Sequence, residues 1–188
     1  MFFIAFNDGH INILISRAKR GDEGAFCTLM GDLEPFVFNL ALRLMNGNHQ
    51  DAEDMAQEAF LRVYKALPGY KENASLKTWA LRICKNVCLD EIRKRKTHIS
   101  DTEEIPETVA DKSTVHEEVL AAERRRALEN AINSLDERAK MLIVLRDIKG
   151  MSYKEIAEVT ELEIGTVKSS LNRSRKKLRE IIVEQNLI

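Results

Sequence analysis

Apolar residues recur at three- and four-residue spacing along most of the chain, and the alternation expected of strands is absent. The clearest run is Asp51 to Leu67. Ala52, Met55, Ala56, Ala59, Phe60, Val63, Tyr64 and Leu67 form one stripe, acids gather at its start, and Pro68-Gly69 ends it. Before it, a denser apolar helix is predicted over Glu34 to Met45, stopped by Asn46-Gly47-Asn48. After it, a polar loop of about Gly69 to Ser75 leads into a long helix from Leu76 to about Lys96. Leu128, Ala131, Ile132 and Leu135 make a further stripe, and Met141, Leu142, Leu145 and Ile148 continue to Gly150. Two helices follow, about Ser152 to Val159 and about Glu163 to Glu184. The expected fold class is all-α.

Between the two helical groups, residues 98 to about 118 are rich in Ser, Thr, Pro and acids and poor in apolar residues, which reads as a flexible acidic linker. The 188 residues suffice for two small domains. The expected division is an N-terminal extension over 1–15, a first domain over 16–97, the linker over 98–118 and a second domain over 119–188.

Net charge is only −1, which argues neither for nor against nucleic acid. Its distribution is informative. Lys77 to Thr97 holds seven bases and two acids, His98 to Leu120 seven acids and one base, and Lys168 to Arg179 six bases and no acid. The opening MFFIAFNDGHINILIS lacks a basic region and is interrupted by Asn7, Asp8 and His10. Neither a signal peptide nor a membrane span is expected there, and a cytoplasmic location is. Cys27, Cys84 and Cys88 lack disulfide spacing, and no histidine neighbours the Cys84/Cys88 pair. No metal site and no cofactor are expected.

Three segments carry candidate chemistry. In SYKEIAEVTELEIGTVKSSLNRSRKKLRE, Ile156, Ala157 and Val159 face inward from a short helix, and Thr160 to Leu162 form a turn. Val167, Leu171, Ser174 and Leu178 are the inner face of the second helix. Lys168, Ser169, Asn172, Arg173 and Lys176 are left outward. A helix with such a face fits the major groove of B-DNA, and its bases neutralise phosphate. In SLKTWALRICKNVCLDEIRKRK, Leu76, Ala80, Ile83, Cys84, Val87 and Ile92 form the buried side. Trp79, Arg82, Asn86, Leu89 and Arg93 share an adjacent one. Trp79 is either a core residue or a stacking platform for an unpaired base with arginines beside it, and the loop Tyr70 to Ser75, including Asn73, is polar and small enough to line a base pocket. Third, Asp51, Glu53, Asp54, Gln57 and Glu58 surround the start of the 51–67 helix, and Leu61 lies off its apolar stripe. This is either helix-dipole complementation on a solvated face or a protein contact surface. No nucleophile, glycine loop or matching histidine lies nearby, so no catalytic residue and no enzymatic activity are expected.

GDEGAF at 21–26, DAEDMAQEAFLRVYKAL at 51–67, TWALRICKNVCLDEIRKRK at 78–96 and the 152–180 segment, in this order, resemble the sigma-70 family, in particular its extracytoplasmic-function (ECF) group. The resemblance covers roughly residues 16 to 183. It implies a sigma-2-like helical bundle joined to a sigma-4-like helix-turn-helix, in a factor that directs core RNA polymerase to promoters and assists strand opening. It implies that Asp51, Asp54, Gln57, Glu58 and Leu61 contact the clamp helices of the largest polymerase subunit. Asn73, Trp79, Arg82, Asn86 and Arg93 would serve the −10 element, and Lys168, Ser169, Asn172, Arg173 and Lys176 the −35 element. The second domain would also sit on the flap of the second-largest subunit, and the acidic linker would thread polymerase channels built for nucleic acid. Promoter DNA and an anti-sigma factor are the further partners implied; a small-molecule substrate is not. Ser170 stands where many members carry arginine, and Asn172 where some carry an aromatic. The alternative readings are a free-standing helix-turn-helix regulator, which leaves the 76–96 helix unexplained, and a protein-binding adaptor.

Overall fold

The computed structural model describes residues 8–99 and 126–184, and every regular element among them is helical. The order is α1 (Asp8–Lys19), α2 (Glu23–Leu44), α3 (His49–Ala66) with a 3₁₀ turn at Leu67–Gly69, and α4 (Leu76–Ile99). Then come α5 (residues 126–133), α6 (Glu137–Ile143), a turn of π-helix at Val144–Ile148, α7 (Tyr153–Thr160) and α8 (Ile164–Glu184). Most of the acidic linker expected over 98–118 lies outside the described residues; its first two positions close α4.

Two expectations change. The extension over 1–15 contains the first turns of α1, because Ile11, Leu14, Ile15 and Ala18 have helical spacing and pack into the core. The helix predicted from Glu34 begins at Glu23. Asp22 caps it by accepting the Ala25 N–H at 2.9 Å, and Ala25, Leu29, Met30 and Leu33 extend the buried stripe ahead of Pro35. An interior proline costs about 3 kcal/mol, whereas each fully buried Leu or Val contributes roughly 1.5–3 kcal/mol. Leu29, Leu33, Val37 and Leu40 on this one helix therefore outweigh it. By length and mean hydropathy (1.3) α2 would suffice to cross a membrane. Here its apolar stripe is covered by α1, α3 and α4.

Helices α1 to α4 pack around α2, and α6, α7 and α8 form a second, smaller unit. The two units touch. α4 lies against α7, α2 meets α6 and the π turn, and buried residues of both units join one apolar cluster. Gly150, at φ +67°, turns the chain from the π segment into α7, a conformation only glycine adopts without strain.

Candidate nucleic-acid interface

α7 is eight residues long, too short to persist alone, so its ends are tied. Ser152 Oγ accepts the Glu155 N–H at 3.2 Å and Glu155 Oε2 accepts the Ser152 N–H at 2.8 Å, a reciprocal cap. The hydrogen bonding from Ser152 holds the Glu155 carboxyl below its ordinary range. At the other end Glu161 takes a left-handed backbone (φ 60°), which turns the chain into α8. Ile156, Val159, Val167 and Leu171 are buried between the two helices, and Ala157 is half-buried.

That packing sets the rotation of α8. Lys168, Ser169, Asn172, Arg173 and Lys176 are brought onto one exposed surface, Lys176 with its side chain 80% exposed. Ser170 is buried and its Oγ accepts from Arg173 at 3.4 Å, so it supports that surface from beneath. Two residues that sequence reasoning passed over belong here. The Tyr153 ring lies under both Arg146 (4.7 Å) and Lys168 (5.7 Å). The signal for Tyr153 was an aromatic opening a short helix, but its cationic partners are distant in sequence. Arg175 is tied to Asp147 and Lys177 to Asp136, while Lys168, Arg173, Lys176 (3.9 Å from Glu180) and Arg179 are the other exposed bases of α8.

On α4 the predicted residues divide. Trp79 is half-buried against Tyr70, ring centroids 4.8 Å apart. Tyr70 donates its hydroxyl to the Ala74 carbonyl at 2.5 Å, and burial pushes its phenol pKa up. The loop is further tied by Glu72, which accepts from Lys19 at 3.1 Å, and Asn73 stays exposed. Arg82, Asn86 and Arg93 lie farther along α4. Asn86 and Arg93 line a groove of about 490 Å³ whose opposite wall is Glu137, Met141, Glu161 and Leu162. Arg82 reaches Glu161 at 3.9 Å. Lys85, not singled out from sequence, is buried there with its Nζ 3.3 Å from Glu161.

The α3 surface is uneven. Asp54 and Gln57 are exposed, and Leu61 (54% exposed) and Tyr64 form an apolar spot beside them. Glu58 pairs with Arg62 at 2.7 Å. Asp51 is engaged elsewhere: Arg95 of α4 donates to both its oxygens, at 2.6 and 2.8 Å, clasping α3 to α4. Among the described residues no group of three or more His, Cys, Asp or Glu is placed to hold a metal. Cys84 and Cys88 are buried, the Cys84 thiol donates to the Val37 carbonyl at 3.6 Å, and the neighbouring Cys88 thiol together with burial pushes the Cys84 thiol well up.

Comparison with known proteins decides the family. The Sigma-70 region 2 family matches residues 29–98 and the Sigma-70 region 4 family matches residues 125–178. The ECF RNA polymerase sigma factor SigW of Bacillus subtilis (strain 168) is 32% identical over 175 residues, 88% of this chain and 93% of that protein. The chain belongs to the ECF RNA polymerase sigma factors. The ECF RNA polymerase sigma-E factor of Escherichia coli (strain K12) is 30% identical over 173 residues, 87% of this sigma factor and 90% of that one. Two solved structures share the fold with a TM-score of 0.66 each. They are the sigma factor RpoE in complex with the anti-sigma factor NepR from Bartonella quintana (23% identity, 84% of this chain and 96% of that one) and CnrH in complex with the cytosolic domain of CnrY (24%, 92% and 96%). The region 2 match takes in most of α2, all of α3 and all but the last residue of α4. The region 4 match takes in α5 to most of α8. As a sigma factor the protein serves transcription initiation, and a free-standing helix-turn-helix regulator leaves the region 2 match without a purpose.

Proposed function

We propose that this sigma factor works in the cytoplasm without catalysis of its own, residues 16–97 binding core polymerase and serving the −10 element and residues 119–188 reading the −35 element. The observation that carries this reading is the outward face of α8. Lys168, Ser169, Asn172, Arg173 and Lys176 are exposed together on a helix whose opposite side is locked into a capped helix-turn-helix. Side chains on such a helix reach base edges in the major groove, and the lysines and arginine supply phosphate contacts. Asp51, Asp54, Gln57, Glu58 and Leu61 on α3 are the polymerase contacts, directed to the clamp helices of the largest subunit, with Asp51 also held by Arg95 of α4. Asn73, Trp79, Arg82, Asn86 and Arg93 serve strand opening, and the flap of the second-largest subunit holds the second unit. An anti-sigma factor is a further partner, as NepR is for RpoE.

The test is transcription in vitro with core polymerase on promoters selected from a random library. Promoter-dependent transcripts and co-elution with core are expected. Absence of both sinks the reading. Arg173→Ala should weaken promoter discrimination by about 1–3 kcal/mol while sparing assembly with core, provided it loses a base contact.

A further inference from the structure

Three residues other than glycine adopt the left-handed backbone among the described residues: Asn46 (φ 56°), Glu72 (φ 58°) and Glu161 (φ 60°). Such a conformation is free for glycine, tolerated by Asn just past a helix C-terminus as at Asn46, and strained for glutamate. Each of the three accepts from a lysine. Glu72 takes Lys19 at 3.1 Å within the first unit. The other two bonds cross between units, in opposite directions. Asn46, at the end of α2, accepts from the buried Lys140 of α6. Glu161, in the helix-turn-helix turn, accepts from the buried Lys85 of α4 at 3.3 Å. Strain persists at a site where the surroundings demand that residue. At Glu161 the demand comes from Lys85 of the opposite unit, which would otherwise be buried without a partner, and Asn46 gives the buried Lys140 its acceptor in the same way.

The crossing pairs share a theme. Lys85 and Arg82 meet Glu161, and Lys96 meets Glu137 at 2.5 Å, so carboxylates of the second unit cover cations along α4. Arg43 of α2 adds a pair with Glu129 at 3.0 Å. Cations on that stretch of α4 are what a DNA backbone would engage. We infer that Glu161 and Asn46 are latch residues: in the free sigma factor they hold the helix-turn-helix unit against α4, where its carboxylates stand in for promoter phosphates and keep DNA off the strand-opening face. The inference rests on the role proposed above for Arg82, Asn86 and Arg93. It makes opening of the two units a condition of DNA binding.

Glycine is the informative substitution, because Glu161→Gly removes the carboxylate while relieving the turn. The full chain, carrying Cys27→Ser and spin labels at the exposed positions Glu53 and Arg179, is measured by pulsed electron resonance. In parallel, fluorescence anisotropy follows binding of the free chain to a labelled single-stranded oligothymidylate. The unsubstituted sigma factor should give one narrow distance distribution. Glu161→Gly should keep or raise the thermal midpoint, broaden the distribution and tighten oligothymidylate binding. If the closed form holds about nine-tenths of molecules, the gain is about tenfold. Asn46→Gly, on the opposite unit, should broaden the distribution in the same way. Glu163→Gln removes an equal charge from an exposed residue near the turn and should change neither readout. An unchanged distribution in both glycine variants, opening without an affinity gain, or an equal gain from Glu163→Gln would overturn the latch. Core-dependent transcription by the unsubstituted chain separates the two readings: its loss alongside normal opening would sink the promoter role and leave the conformational latch standing.

Discussion

Arg95 lies near the end of α4, yet two of its N–H groups serve Asp51 at the start of α3, and a third bond reaches Glu91 at 2.9 Å. The Arg95 guanidinium holds the Asp51 carboxyl below its ordinary range, chiefly through those hydrogen bonds. Glu137 is lowered first by Lys96, and Asp136 first by the Ala139 N–H it accepts. A carboxyl whose folded pKa is depressed adds stability at pH above its unfolded value and loses it as pH falls through the folded one. Stability should therefore begin to drop below about pH 4.5, the ordinary glutamate value, and keep falling through the range of the lowered aspartates. Arg95→Ala should cost about 1 kcal/mol at neutral pH, because the pair lies at the surface with the Arg95 side chain 44% and the Asp51 side chain 20% exposed. Its deficit should shrink as pH falls below the ordinary aspartate value of 3.8, where Asp51 is protonated first in the unfolded chain; thermal unfolding at pH 7 and pH 3 measures this. Asp51 also shows how far residue-level reading reaches. Its sequence neighbourhood marks an acidic helix start, but nothing in that spacing names a partner on another helix.

At the scale of the element, the short helix α7 depends on its ends. Removing the hydroxyl in Ser152→Ala takes away the acceptor for the Glu155 N–H, leaves the Ser152 N–H bond to the Glu155 carboxylate in place, and should cost about 1 kcal/mol, seen as a lower urea midpoint with an unchanged slope. The elements themselves were largely legible. Apolar spacing located α3, α4, α7 and α8 because a helix that buries one face must repeat that face every three or four residues. α2 was read short. Its first half has a sparser stripe, and Pro35 looks like a boundary until the packing of Leu29 and Leu33 outweighs it. In the helix-turn-helix, Val167 and Leu171 inward fix Lys168, Asn172 and Arg173 outward, so the outward face of α8 follows from periodicity alone. α4 resists such a reading. Leu81, Lys85 and Cys88 are buried beside Leu76, Ala80, Cys84 and Val87, while Ile83 and Ile92 of the predicted stripe are half-buried, because helices press on α4 from two sides.

For the whole molecule, the contact between units combines a shared apolar cluster with ion pairs at its margin: Arg43 with Glu129, Lys96 with Glu137, and Lys85 and Arg82 with Glu161. Charges of this kind respond to salt. The screening length falls from about 8 Å at 0.15 M to about 3 Å at 1 M ionic strength. The radius of gyration of the free sigma factor should therefore rise between low and high salt in small-angle scattering. A constant radius would mean that the apolar cluster alone keeps the units together.

The order of helices, the outward face of α8 and the likeness to sigma-70 regions follow from the chain itself, because periodicity, caps and motif spacing are local properties. The pairing of Lys85 with Glu161, 76 residues apart, and of Lys140 with Asn46, 94 apart, was settled by the tertiary structure alone. Burial turns those two lysines from ordinary members of a charge run into groups that need a partner, and only the docking of one unit on the other determines which residue that partner is.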